Sequence, residues 1–431
     1  MALKHKIEEV VLKNGARGLF VHVPGASVFC YELCFRAGNE YVAGPDVQQT
    51  AHLLEHMLAK TCKGLETAEA FSREFTKNGA YSNATTWQTN MVYEGNCADM
   101  EWDRVLGLQL RSISEPILTE ESLRVEKGNV REELSGQLSN HPRTLWQYIN
   151  RSLGDSIALD EEKIASIDAV TLGSLDEHWR RTHTQSNFHF CIVGDMSGKR
   201  AKLKSMFENW QLPKGNGWLA PEQHVYHRGE TVSITRNDEH SIEFIFAMTI
   251  PRRLDQTERW AMSMLTHILT GTFHSRIYGV ARDKGYCYDV SSGAGDKFDG
   301  TSDWSFQAQV TKEQAPKLLK LIARELLRVR DGDISEKELD ETRQYAYGVY
   351  QKSYQSIYDL MCYSSDYFFD DSYTAVDENI KLIDAIRRDT IVRLAREFID
   401  SLAWTYGEIG PVSPGETEAR RSLFSRLKGE V

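Results

Sequence analysis

Two histidines and one glutamate stand in the stretch HLLEH, as His52, Glu55 and His56. Four residues advance an α-helix by slightly more than one turn, so the two imidazoles would project from one face and could share a metal ion. Glu55 would overlook the same position, where a carboxylate can take a proton from a metal-bound water. The order of these residues is the inverse of the HExxH zinc motif. The spacing therefore predicts a hydrolytic zinc site on a helix.

A chance occurrence of this pattern is the alternative interpretation. With 13 histidines in 431 residues, a shuffled chain would contain HxxEH on the order of a few per cent of the time. Leu53, Leu54 and Met57 would pack the rest of the helix into a core. The two histidines could then be structural and simply hydrogen-bonded. A further ligand elsewhere in the chain would favour the metal site.

A third ligand is needed because a catalytic zinc usually has three protein ligands and one open position. The segment TEESLRVEKGNVREEL, residues 119–134, predicts a helix that begins near Thr119 and carries several acids. Glu126 and Glu133 are seven residues apart and return to nearly the same helix face. Glu132 points about 100° away from Glu133, so we expect it to be solvated. Spacing alone leaves both Glu126 and Glu133 as candidates.

The composition indicates a folded protein of more than one domain. The chain has 431 residues, of which 41% are hydrophobic and 26% charged, and a single core rarely serves this length. A net charge of -11 argues against nucleic acid as a partner, since that needs a clustered basic face. No segment has the roughly 18 apolar residues of a membrane span, and the charged N-terminus lacks the pattern of a signal peptide. We expect a cytoplasmic protein, with an organelle or another export route left open.

The same order of elements occurs twice along the chain. An extended stretch at 28–36 precedes a helical pattern at 48–60, and a similar stretch at 241–249 precedes a helical pattern at 258–269. Two later apolar strands each end in a glycine turn followed by a charged helix. This repeat predicts an internal duplication of about 210 residues.

Two homologous domains follow from the repeat, at 1–212 and 225–431. Two prolines and two glycines interrupt any periodic pattern between them, so we predict a linker at 213–224. Within each half, strands with partial alternation are interleaved with amphipathic helices. This pattern predicts an α+β fold, in which each domain is a mostly antiparallel sheet with helices packed on one face.

The stretch HLLEH, followed about seventy residues later by EKGNVREEL, resembles the inverzincin (HxxEH) zinc metallopeptidases of the pitrilysin and insulinase superfamily. The resemblance covers nearly the whole chain. Its length and duplication are most similar to the processing-peptidase-like branch, in which subunits of this size pair up. By this resemblance the first domain is the zinc-binding catalytic domain and the second binds substrate.

A second family pattern, GAxxNAxTxxxxTxYY, is matched by NGAYSNATTWQTNMVYE at 78–94. Taken as the register, this match implies Glu133, rather than Glu132, as the third zinc ligand. Glu126 then corresponds to the family's supporting glutamate, which orients a ligand histidine. Asn83 and Ala84 would contact the substrate, which we expect to add as a strand along the edge near 80–85.

The stretch GTFHSRIYGVARDKGYCYDVSSG, residues 271–293, also resembles the family. The match implies that Arg282 and Tyr288 bind the substrate backbone and that Tyr288 donates to the developing oxyanion. From the residues alone, Arg282 could be a surface charge and Tyr288 a core aromatic. The second half carries only His267 in place of the full motif, so we expect one Zn²⁺ per chain.

The resemblance implies a zinc metalloendopeptidase that hydrolyses peptides or unfolded polypeptide segments inside a closed chamber. A homodimer would suffice, because one chain carries both halves, and a heterodimer with a homologous subunit is the alternative. Two other functions remain open from the sequence. One is a non-catalytic structural subunit of the same fold, and the other is a zinc-requiring module that captures peptides without cutting them.

Overall fold

Eleven β-strands form two separate sheets in this computed structural model, which describes residues 3–220, 224–425 and Leu427. Three residues of the predicted linker, 221–223, lie outside the described residues. The strands are β1 (Lys6–Val11), β2 (Arg17–His22), β3 (Val28–Phe35), β4 (Tyr81–Thr86), β5 (Met91–Ala98), β6 (Phe188–Gly194), β7 (Val232–Thr235), β8 (Ile242–Ile250), β9 (Ser291–Asp296), β10 (Ser302–Val310) and β11 (Ala403–Gly410).

Sixteen α-helices accompany these strands in the described part of the chain. They are α1 (Thr50–Leu58), α2 (Ala68–Thr76), α3 (Trp102–Ser114), α4 (Glu120–Gln137), α5 (His141–Leu153), α6 (Asp160–Ser166), α7 (Leu172–Thr182), α8 (Arg200–Glu208), α9 (Gln256–Thr270), α10 (Tyr278–Asp283), α11 (Ala315–Arg330), α12 (Glu336–Lys352), α13 (Cys362–Asp370), α14 (Val376–Ala385), α15 (Arg388–Ile399) and α16 (Pro414–Ser425). None of the helices in these ranges combines the length and the apolarity that crossing a membrane requires.

The chain divides into two compact units, each with one sheet. Unit 1 consists of Met1–Gly136, Asp160–Glu222 and Gln351–Thr374, and unit 2 consists of Gln137–Leu159, Gln223–Tyr350 and Ala375–Val431. Each unit therefore contains a short segment from the other half of the sequence. The halves predicted above, 1–212 and 225–431, are contiguous, so they differ from the two units in the placement of these two segments.

The sheet of unit 1 has the strand order β1-β2-β6-β3-β5-β4. β2 and β6 run parallel and the other neighbours run antiparallel, so the sheet is mixed. Alternate residues of β3, among them Tyr31 and Leu33, pack in one core with the apolar sides of α1, α3 and α7. This core fixes α1, the helix that carries the HLLEH motif.

The opposite face of this sheet is also covered. All seven residues of β6 are buried, which a strand with one solvated face would not allow. Helix α13 contacts β2 and β6, and His189 of β6 makes ring contacts with Phe368 of α13 and with Trp218. The segment Gln351–Thr374 thus completes unit 1 on the side away from α1.

The sheet of unit 2 is built in the same way, with the order β7-β11-β8-β10-β9 and one parallel pair, β7 with β11. One face packs on α9, α11 and α15. On the other face, Ile245 and Ile409 pack against Leu145, Ile149 and Leu153 of α5. The α+β class is confirmed. The prediction of helices on one face only is wrong, because the apolar second faces need α13 and α5 to exclude water.

Ile149 offers a test of the cover that α5 provides. Its side chain is fully buried against β8 and β11, so Ile149→Ala would leave a cavity and lower the free energy of unfolding by about 2–5 kcal/mol. Equilibrium urea unfolding followed by circular dichroism measures this change. Leu402→Ala is the matched control in unit 2, since Leu402 is exposed and its loss should cost less than about 0.5 kcal/mol. Equal effects of the two substitutions would contradict the packing of α5.

Glu32 lies on the α13 side of its sheet, opposite Glu94 of β5 and Cys191 of β6. Burial raises the pKa of Glu32 to about 7, and the charge of Glu94 adds to the rise, while hydrogen bonds with Ser364 and Cys34 oppose it. A carboxyl group with a raised pKa in the folded state contributes stability at low pH, and this contribution is lost as the pH rises through the folded-state value.

The Glu32→Gln substitution should remove this pH dependence. We expect the free energy of unfolding of the wild type to fall, relative to the variant, by about 1–3 kcal/mol between about pH 4.5 and pH 7. Urea unfolding of both proteins at several pH values across this window measures the difference. A difference that stays constant with pH would show that Glu32 does not change its protonation state there.

Candidate metal centre

Helix α1 places His52 and His56 side by side. Its core face is buried through residues such as Leu53, Leu54 and Leu58, which fixes the rotation of the helix about its axis. The two imidazoles stand on the opposite, partly exposed side with ring centroids 4.8 Å apart. The spacing of four residues therefore brings the two rings together, as predicted.

Helix α4 brings Glu133 to the same place. Its carboxylate Oε2 lies 3.6 Å from Nε2 of His52 and 3.7 Å from Nε2 of His56. Among the described residues, these three side chains form the group whose ligand atoms all lie within 4.8 Å of one another. Glu132, the adjacent acid, is exposed and is not part of this group.

The donor set fits a zinc ion. Tetrahedral ligands at about 2.1 Å from zinc lie about 3.4 Å from one another, close to the separations between Glu133 and the two histidines. Two imidazoles and one carboxylate are also a common ligand set of catalytic zinc, in which the fourth position holds water. His52, His56 and Glu133 could therefore hold the metal, with Glu126 outside the set.

Each histidine is oriented by a buried partner at its other ring nitrogen. Nδ1 of His52 lies 3.0 Å from Oε1 of Gln49, and Nδ1 of His56 lies 3.0 Å from Oε2 of Glu126. Both acceptors favour a proton on Nδ1, which leaves the Nε2 lone pairs facing Glu133. Neither the HLLEH spacing nor the family resemblance predicts this role of Gln49. Its position three residues before His52, at the start of the helix, is the signal that could have identified it.

Glu126 is a buried carboxylate with three donors. It accepts hydrogen bonds from His56, from Nδ2 of Asn129 at 3.1 Å and from Nζ of Lys60, with which it forms an ion pair. Burial raises the pKa of Glu126, but the three hydrogen bonds and the charge of Lys60 outweigh burial and lower the pKa to about 2. The group that orients His56 is therefore a fixed anion at neutral pH.

Glu55 lies on α1 beside the three candidate metal ligands and is buried. Burial raises the pKa of Glu55 above its ordinary value, and the charge of Glu133 adds to the rise, while the neighbouring Thr86 and His56 oppose it. A general base is most effective when its pKa approaches the working pH. The environment of Glu55 shifts its pKa in the direction that proton transfer requires.

A cavity of about 270 Å³ opens next to Glu55 and His56. Phe71 of α2 lines one side, and Ser82, Asn83 and Ala84 of β4 line another. In the described ranges, β4 and β1 are the edge strands of the unit 1 sheet. The predicted substrate residues Asn83 and Ala84 therefore stand at an edge strand and at a cavity beside the candidate base.

Arg282 and Tyr288 lie together in unit 2. The guanidinium of Arg282 donates to the backbone carbonyl of Tyr288 at 2.9 Å, and its central carbon lies 3.9 Å from the centre of the tyrosine ring. Both residues line a cavity of about 450 Å³. Tyr288 is 78% exposed, so it is not a core aromatic, and its hydroxyl is available to a ligand.

Unit 2 contains the counterpart of the helix pair that carries the metal centre. The buried residues of α1 and α9 match almost throughout at a shift of 211 positions, which places Ser263, Thr266 and His267 where α1 carries its motif. The buried residues of α4 and α12 match at a shift of 216 positions, which places Thr342 and Val349 at the positions of the two α4 glutamates. The absence of a metal from unit 2 stays a prediction.

Two models of one peptidase family match the chain. The model described as insulinase (peptidase family M16) matches residues 22–157, which contain the candidate metal centre. The model described as the peptidase M16 inactive domain matches residues 169–345. Between them the two models cover most of the chain.

A curated relative and two solved structures are similar to the chain. An uncharacterised zinc protease of Streptomyces coelicolor is 22% identical over 306 residues, which are 68% of this chain and 66% of that protein, so the chain spans just under two thirds of its length. A crystal structure of a peptidase M16 inactive domain from Pseudomonas fluorescens has a TM-score of 0.83 at 19% identity, covering 95% of this chain and 99% of that chain. A crystal structure of a protease from Helicobacter pylori has a TM-score of 0.81 at 18% identity, covering 95% and 100%.

At these identities the two structures establish the fold alone, and they agree with two α+β units built from mixed sheets. The family models add the assignment that structural likeness cannot give, because each of them is a model of the same peptidase family. The chain belongs to peptidase family M16.

Proposed function

We propose that the chain is a zinc-dependent endopeptidase that hydrolyses peptides or unfolded polypeptide segments. The observation that carries this proposal is the convergence of two imidazole Nε2 atoms and the Glu133 carboxylate, at 3.6 and 3.7 Å, beside a buried glutamate. Membership of a peptidase family and similarity to a protein named a zinc protease support it. The inverzincin motif and the processing-peptidase-like branch are parts of the same proposal.

His52, His56 and Glu133 would hold one zinc ion per chain. When bound there, zinc lowers the pKa of its water toward about 7 and polarises the scissile carbonyl. The protein's contribution is to keep the ligands aligned before the metal arrives. Gln49 and Glu126 do this by fixing the ring orientation and the proton position of each histidine.

Glu55 is the proposed general base. It takes a proton from the attacking water and then delivers this proton to the leaving amine. Burial raises the pKa of Glu55, which makes the carboxylate a stronger proton acceptor than a solvated glutamate. Its place beside, but outside, the three-donor set suits a base rather than a ligand.

The substrate is proposed to bind as an added strand on the outer edge of β4. Strand addition satisfies backbone hydrogen bonds without reading the side chains, so it suits a peptidase of broad specificity. One substrate side chain would enter the cavity of about 270 Å³ between Phe71 and Ala84. The mixed polar and apolar lining of this cavity accepts several side-chain types.

The remaining parts of the proposal rest on the family resemblance. They are a closed chamber that excludes folded proteins, a cytoplasmic location, a homodimer with a heterodimer as the alternative, and substrate binding by Arg282 and Tyr288. A non-catalytic role is the competing proposal, prompted by the description of the model that matches residues 169–345. That stretch contains none of the residues of the candidate centre, all of which lie within 22–157. We therefore favour catalysis.

The Glu55→Gln substitution tests catalysis directly. It should reduce cleavage of an unstructured fluorogenic peptide by at least about 10³-fold, because the base is removed. Zinc content should stay at one ion per chain, since Glu55 is not a ligand. Peptide cleavage is measured together with metal content for the wild type, the variant and the chelated wild type.

The control for this experiment is Glu132→Gln, which changes an exposed acid on α4 and should leave both rate and zinc content unchanged. A wild type that holds one zinc ion yet cuts no peptide, alone or with a homologous subunit, would leave the peptide-binding module as the function.

Tyr288→Phe tests the proposed oxyanion donor. Removing one such donor typically lowers kcat about 10²-fold or more, and KM and zinc content should change little. Tyr286→Phe is the matched control, because Tyr286 is partly buried and packs against the core of unit 2. Steady-state kinetics on the same peptide measure kcat and KM for the wild type and both variants. An unchanged kcat in Tyr288→Phe would remove this residue from the mechanism.

A further inference from the structure

The two histidines of the candidate metal centre are oriented by partners of different chemistry. The Nδ1 atom of His52 faces Gln49, a neutral amide that is fully buried. The Nδ1 atom of His56 faces Glu126, a carboxylate whose side chain is 4% exposed. A buried amide needs only hydrogen bonds, whereas a buried carboxylate also needs a compensating charge. The orientation of His52 therefore depends on a neutral hydrogen-bond partner, whereas that of His56 also depends on the charge that compensates Glu126.

Lys60 supplies that charge. It lies two residues after the end of α1, and its ammonium forms an ion pair with Oε1 of Glu126. The other oxygen, Oε2, accepts from Nδ1 of His56 at 3.0 Å and from Asn129 at 3.1 Å. The two oxygens of Glu126 thus have separate partners, Lys60 at Oε1 and His56 with Asn129 at Oε2.

We propose that Lys60 is a positioning residue of the metal centre, which anchors the Glu126 carboxylate and thereby holds the His56 ring with Nε2 directed at the metal position. The proposal deepens the function proposed above and rests on it for the identity of the metal. Lys60 itself does not lie in the three-donor set. It acts on the metal only through Glu126 and His56.

Unit 2 offers an internal comparison for Lys60 and Glu126. At the shift of 211 positions that aligns α1 with α9, Lys60 corresponds to Gly271, which ends α9. At the shift of 216 positions that aligns α4 with α12, Glu126 corresponds to Thr342, whose hydroxyl donates to the carbonyl of Met264 at 3.4 Å. The copy that lacks the buried carboxylate therefore lacks the lysine as well. This is the pattern expected if the lysine serves the carboxylate rather than the fold.

The first test is zinc affinity, measured by competition with a chromophoric chelator on the full chain. Lys60→Met should bind zinc about 10-fold more weakly, at the low end of the effect of losing an orienting partner. Lys60→Arg, which keeps a cation in reach of Glu126, should stay within about 3-fold of the wild type. Lys63→Met is the matched control, since Lys63 is exposed on the same loop, and it should bind zinc as the wild type does.

The second test needs no metal. Long-range ¹H–¹⁵N spectra of the metal-free chain labelled with ¹⁵N-histidine show which ring nitrogen carries the proton. His56, assigned by its loss in His56→Gln, should carry the proton on Nδ1 in the wild type and in Lys60→Arg. In Lys60→Met the proton should be shared between the two nitrogens. Lys60→Gln replaces the methionine variant if circular dichroism shows that Lys60→Met does not fold.

Two results would overturn the proposal: wild-type zinc affinity with an unchanged His56 tautomer in Lys60→Met, or an equal loss of affinity in Lys60→Arg and Lys60→Met. A wild-type chain that binds no zinc would refute the proposed function instead. The spectra of the metal-free protein would then still decide whether Lys60 positions His56, so the two failures are distinguishable.

Discussion

The structure of unit 1 depends on one constraint, which is that the three candidate metal ligands, carried by two helices, must lie close together. His52 and His56 come from α1 and Glu133 from α4, more than seventy residues later. No local interaction can bring these helices together. Both helices pack on the same core, and this core aligns them. The geometry of this candidate metal centre is therefore a property of the whole unit. Any change that shifts α1 relative to α4 by an ångström would spoil the separations of 3.6 and 3.7 Å.

The same core also places β4, the edge at which we propose that peptides bind. β4 contacts α1 and pairs with β5 at the end of the sheet, so the helix that carries Glu55 and the strand that carries Ala84 are fixed against each other. A single packing arrangement thus sets the distance from Glu55 to the outer edge of β4. Under the proposed function, strand addition at this edge needs no specific reading of substrate side chains, so the size and extension of a substrate would decide whether it is cut.

Much of the centre could be predicted from the sequence because its parts obey helix periodicity. The four-residue spacing of His52 and His56 and the seven-residue spacing of Glu126 and Glu133 are visible without a structure. Periodicity does not say which of two glutamates on one face reaches the metal, and only the family register favoured Glu133. Gln49 was missed because its hydrogen bond depends on how the chain enters α1. The placement of α5 in unit 2 and of α13 in unit 1 could not be predicted, because an amphipathic pattern shows that a helix is covered but not by which sheet.

The two units share the packing of their paired helices but differ in the polar residues that these helices carry. Both bury matching residues on their paired helices, yet the position of Glu126 in unit 1 is held by Thr342 in unit 2, a neutral side chain that needs one hydrogen bond. A buried carboxylate costs several kcal/mol unless it is paired, and the neutral Thr342 of unit 2 avoids this cost. The charged group in unit 1 is retained against this cost. Since packing alone does not require the anion, the orientation of His56 is the physical reason for its presence.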